Sequence, residues 1–123
     1  MSTSKANQTD KIVNKKATDP FDQLIFEQGL RAKKVLLTDK KLDTLVVLLN
    51  NGVILKIALS NYPKLQKASQ TELDQWELIA DGIGIRWESL DEDLSIKGMI
   101  KESALNEALY QLQNNFKPKL SII

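Results

Sequence analysis

The sequence predicts an α+β domain: an antiparallel sheet of four to five hairpin-connected strands, with short helices packed on it and a C-terminal helix. Three observations lead there. Apolar runs of strand length follow one another between Arg31 and Glu88, several alternating with polar residues at period two. Asn51-Gly52 and Asp81-Gly82 stand between neighbouring runs, and such pairs readily adopt the positive φ values of tight hairpin turns. Helical spacing returns after Ser95, where apolar residues recur every three or four positions.

Met1 to Thr18 is rich in Ser, Thr, Asn, Gln and Lys and reads as a disordered or loosely docked tail, leaving residues 19–117 as one domain and 118–123 as a second tail. Asp19-Pro20 opens a helix, because Asp can accept the free amides of the first turn and Pro needs no donor there. Phe21, Leu24, Ile25 and Gln28 share its inward face, and Gly29 stops it. Strands are expected at Arg31–Thr38, Asp43–Leu49 and Val53–Leu59. The second is apolar on both faces, as a central strand covered on both sides would be; the covering layer is either this chain's helices or a second copy of the molecule. Tyr62-Pro63 leads into a short helix from Lys64 to Ala68, and Ser69 with Glu72 has capping-box spacing. A hairpin from Trp76 to Glu88 follows, turning at Asp81-Gly82, with Gly84 permitting close backbone approach. The acids Asp91, Glu92 and Asp93 then read as the entry to a helix capped at Ser95 and carrying Ile96, Met99 and Ile100, with Gly98 weakening it. Ser103 caps a last helix, whose Leu105, Ala108, Leu109, Leu112 and Phe116 form an apolar stripe before Lys117-Pro118 ends it.

Composition removes several functions. There is no histidine and no cysteine, so Ser-His-Asp and Cys-His catalysis, thiolate metal sites, ordinary zinc hydrolysis and disulfides are all excluded. Seventeen basic residues against sixteen acidic leave a net charge of +1, so nucleic-acid binding is not expected without a local patch; the N-terminal lysines, Lys5, Lys11, Lys15 and Lys16, leave a nucleic-acid accessory protein as a further alternative. Apolar runs are far short of the ~20 residues of a membrane span, and the polar start has no signal-peptide core, which points to the cytoplasm.

The remaining chemistry rests on a few groups. Asp91, Glu92 and Asp93 could hold Mg²⁺ or Ca²⁺, or serve a carboxylate-based enzyme or nucleotide binder with Asp81 or Glu88, but their spacing fits no EF-hand loop, and acids at a helix entry are explained by its free amides and dipole. Asp81-Gly82-Ile83-Gly84 lacks the spacing of a phosphate loop. Arg86 reads as a structural ion-pair partner for Asp91 or Asp93. Trp76 and Trp87 frame the hairpin and read first as core residues, yet in a chain with seven aromatics both are also candidate interface anchors, Trp87 the favoured one. Lys33, Lys34, Lys40 and Lys41 read as solvated lysines that deter edge pairing. No cofactor is expected.

From Ile85 to Ile100 the string IRWESLDEDLSIKGMI resembles the signature of a family of small bacterial proteins of unknown function, in which an aromatic strand end meets Leu-Asp-Glu-Asp and then a Ser-capped helix. Asn51-Gly52 closing a strand, Tyr62-Pro63-x-Leu65 and Ala68 are similar too, so the likeness covers about Arg31 to Ile100. The resemblance implies a compact α+β domain, often encoded beside a small toxin-like protein and acting as its antitoxin-like partner. Some such proteins add a helix-turn-helix unit, for which this chain has no room. Together these readings favour a non-enzymatic protein-interaction module, with Trp76, Arg86, Trp87, Asp91, Glu92 and Asp93 as its contact surface, the C-terminal helix as a second candidate, and a homodimer as a further option.

Overall fold

A computed structural model describes residues 19–115; the two tails, together with Phe116 and Lys117-Pro118, lie outside them. The chain opens with a short helix, α1 (Pro20–Asp22), which widens into a π-type turn over Gln23–Glu27. Asp19 caps it, its carboxylate accepting from the amides of Phe21 at 2.8 Å and Asp22 at 3.3 Å. Gly29, at φ +79°, ends it.

Three antiparallel strands follow in spatial order: β1 (Ala32–Asp39), β2 (Thr44–Leu49) and β3 (Ile54–Ala58). β2 is central, as its apolar sequence requires. Cross-strand partners share a face, so Val35, Val47 and Leu55 lie together, as do Leu45 and Ile57, and all five are buried. The opposite face carries Lys34, Leu48 and Ile54, then Leu37, Val46 and Lys56. No helix among the described residues seals it: Ile54 is 56% exposed and Leu37 41%.

The chain then leaves the sheet through α2 (Pro63–Lys67) and α3 (Gln70–Leu73). Ser69 makes the full capping box, its hydroxyl accepting from the Glu72 amide at 3.1 Å and the Glu72 carboxylate accepting from the Ser69 amide at 3.0 Å. A second antiparallel sheet succeeds them, ordered β4 (Glu77–Ile79), β5 (Gly84–Trp87) and β6 (Glu92–Ser95). The described residues therefore form an α+β architecture with six strands in two sheets of three, and not one sheet of four or five. The helical interlude from Pro63 to Leu73 divides the pairing into two sets.

Three local expectations also change. The hairpin between β4 and β5 turns through four residues, Ala80–Ile83, and Ala80, Asp81 and Gly82 all take positive φ. Gly82 is required there: a Cβ on it would come within 2.6 Å of the Ala32 carbonyl oxygen, so this turn rests on the start of β1 and joins the two sheets. Glu92 to Ser95 forms a strand instead of a helix entry, because Asp91 turns left-handed at φ 52° and redirects the chain into pairing with β5. Gly98 and Ser103 do not divide the last helix. α4 (Ile96–Asn114) is continuous, capped by Ser95, whose hydroxyl accepts from the Gly98 amide at 3.1 Å, and anchored by the buried Ile96 and Met99.

One contiguous core unites these elements, gathering Ile25, Leu65, Leu73, Ile85, Trp87 and Met99 onto the inner face of the first sheet. Two polar clasps hold α4 to it. The Lys97 ammonium donates to Asp19 at 2.8 Å and Asp22 at 2.9 Å. Glu102 accepts from the Tyr62 hydroxyl at 2.5 Å and from the side-chain amide of Asn61. Burial, with the Glu102 carboxylate beside it, pushes the Tyr62 phenol well above its ordinary range.

Candidate interaction face

The second sheet distributes the predicted residues over two faces, since successive strand residues point opposite ways. Ile85 and Leu94 pair on the inner face, and so do Trp87 and Glu92. Trp87 is fully buried, and its indole N–H donates to the Leu73 carbonyl at 2.9 Å. It is therefore a core residue with no side-chain surface to offer, contrary to its reading as the favoured anchor. Its carbonyl partner on α3 was invisible in the sequence.

On the outer face, Glu77, Arg86 and Asp93 stand side by side across β4, β5 and β6. The Arg86 guanidinium meets Asp93 in a fork, Nε to Oδ1 at 2.9 Å and Nη2 to Oδ2 at 3.0 Å. This bond holds the Asp93 carboxyl below its usual range and raises Arg86 above its own. The triple acid is thus divided: Asp93 outward on Arg86, Glu92 inward and half-buried, and Asp91 fully exposed on its turn. Asp91 is held by its backbone, whose carbonyl accepts from Lys64 Nζ at 2.8 Å. Among the described residues, no group of three carboxylates is gathered closely enough to hold a metal ion.

Trp76 stays half-buried at the start of β4 and lines a shallow cleft of about 470 Å³ with Gln75, Glu77, Glu88 and Ser89. A second cleft of about 240 Å³, lined by Arg86, Glu88, Asp91 and Asp93, adjoins it through Glu88. The face therefore presents one accessible tryptophan among four exposed carboxylates, Glu77, Glu88, Asp91 and Asp93, against two cations, Arg86 and Lys64. Both cations are engaged, Arg86 by Asp93 and Lys64 by the Asp91 carbonyl, with the Asp91 carboxylate 3.9 Å away. Sequence reasoning had not included Glu77; the signal for it was its place one strand over from Arg86. Asp81 lies elsewhere, in a cleft with Arg31, Lys33 and Asn50. No helix among the described residues is long and apolar enough to cross a membrane.

Comparison with known proteins agrees with this architecture. Residues 38–104, more than half of the chain, match the model of the family described as "Protein of unknown function (DUF2442)", and the chain belongs to that family. A crystal structure of a protein of unknown function from Rhodospirillum rubrum is similar at 32% identity and a TM-score of 0.52, covering 58% of this chain and 86% of that one. An uncharacterized Chromobacterium violaceum protein, solved by NMR in solution, shares the fold at 23% identity and a TM-score of 0.54, over 71% of this chain and 78% of its own. No curated protein matches the chain.

Proposed function

We propose that this protein is a non-enzymatic, cytoplasmic protein-interaction module, the antitoxin-like half of a two-protein module, whose partner brings a basic segment to the acidic face around Trp76. The observation that supports this reading is the pairing of an accessible tryptophan with four exposed carboxylates whose nearest guanidinium is already satisfied. An aromatic anchor inside a net-acidic rim is the chemistry of a steered protein contact. The lack of histidine and cysteine, and the capture of Asp93 by Arg86, favour binding over catalysis.

The test is calorimetric titration of the purified chain with the product of the neighbouring gene, at low and at moderate salt. Binding should weaken at least tenfold in the Glu77→Lys/Glu88→Lys variant and in Trp76→Ala, and should fall with added salt. Unaltered binding in both variants would refute the assignment of this face. Specific Mg²⁺ binding that disappears in Asp91→Asn and Asp93→Asn would favour a carboxylate-based metal or nucleotide site instead.

A further inference from the structure

The distal half of α4 is exposed on every side from Ala104 to Asn115. Its rotation is set upstream, where Ile96 and Met99 point into the core. At about 100° per residue, Ser103, Glu107 and Tyr110 continue that body-facing line. With Asn106 they border a cleft of about 450 Å³ against Lys56, Ile57 and Ala58 of β3. The same rotation carries Leu105, Ala108, Leu109 and Leu112 to the opposite side. Leu105 is 70% exposed, Leu109 54% and Leu112 71%. The helix thus turns polar groups toward its own domain and a leucine stripe away from it, the reverse of what a helix packed only on its own sheet requires.

The composition of the arm indicates what covers the stripe. Between Ala104 and Asn115 the only formally charged group is Glu107, which lies on the body side. Asn106, Gln111, Gln113 and Asn115 are carboxamides, each able both to donate and to accept, so they can meet their own copies without repulsion. A charged rim would select an oppositely charged partner; a neutral amide rim is self-complementary. We propose that a second copy of this chain covers the stripe, the two α4 arms pairing antiparallel about a two-fold axis so that Leu105 of one copy meets Leu112 of the other.

The area sets the strength. Three leucines exposing roughly 100 Å² each give about 600 Å² of apolar burial for the pair, below the ~1,200 Å² of stable complexes. The dimer is therefore weak and reversible, with a dissociation constant on the order of 10–1,000 μM. It is independent of the acidic face and would present two such faces on one particle.

Sedimentation velocity on the full chain from about 5 to 500 μM tests this. The wild type should shift from monomer to dimer across the series, and Leu105→Lys/Leu109→Lys should stay monomeric with an unchanged melting temperature, since both sites are exposed. Glu77→Lys/Glu88→Lys should dimerise as the wild type does, which separates this surface from the acidic one. A wild type that is monomeric throughout, or a leucine variant that still dimerises, would overturn the proposal. So would a monomeric wild type whose binding to the neighbouring gene product is lost in the leucine variant, because the stripe would then belong to that partner.

Discussion

Replacing Trp87 with Phe should be among the most damaging conservative changes in the chain. The indole is fully buried, and its N–H donates to the carbonyl of Leu73, itself fully buried at the end of α3. Phe keeps the aromatic character but supplies no donor, so the carbonyl loses this partner at a cost of about 1–3 kcal/mol. The smaller ring also leaves roughly 40 Å³ unfilled, about 1 kcal/mol more at the usual cost of cavity volume. The sum, about 2–4 kcal/mol, corresponds to a loss of roughly 10–25 °C in melting temperature for a domain of this size. Thermal and urea unfolding followed by far-UV circular dichroism would measure it, with Trp76→Phe as control. Trp76 is half-buried and should cost less than about 1 kcal/mol. Equal destabilisation by the two variants would refute the assignment of Trp87 to the core and Trp76 to the surface.

Further predictions follow from local geometry. Gly52 and Gly82 share a φ near +90°, but only Gly82 has the Ala32 carbonyl where a Cβ would go. Gly52→Ala should therefore cost about 1–2 kcal/mol and Gly82→Ala about 2–5 kcal/mol, read from urea midpoints. Ser69→Ala should cost about 1 kcal/mol by opening the capping box. The Lys97 ammonium, with two backbone amides, lowers the Asp19 carboxyl from 3.8 to about 2. A carboxyl depressed in the folded state stabilises it above the unfolded value, so this contribution should be present near neutral pH and fade as pH falls from about 4 to about 2. Lys97→Met should flatten the urea midpoint across that window.

Much of the first half was legible because its signals are local. Asn51-Gly52 sits at its turn with Gly52 left-handed, Ser69 and Glu72 close the box their spacing implied, and the two-sided apolar run of β2 is central. The second half depends on tertiary pairing. Asp91-Glu92-Asp93 has the composition of a helix entry, yet cross-strand bonds to β5 and the Arg86 fork hold Glu92 to Ser95 extended. Gly98 and Ser103 look like breaks, but burial of Ile96 and Met99 carries the helix through them. The leucine stripe was visible as a stripe. Its direction was not, because the phase of α4 is decided by residues a full two turns upstream. For the candidate face, the sequence offers Asp91 and Asp93 alike to Arg86, and only the register of β5 with β6 selects Asp93; the alternation that groups Trp87 with Ile85 is legible, but which face of the ribbon meets the core is not, so core burial and an interface role stay undivided for it.

The span matched by the family begins at Thr38, near the end of β1, so most of that strand lies upstream of it. A fragment trimmed to residues 38–104 would strip β2 of its neighbour and leave a row of unpaired amides and carbonyls along a strand made almost wholly of leucine and valine. Such an edge is a template for runaway strand addition, so the boundary drawn by family likeness is a poor place to cut this chain for expression.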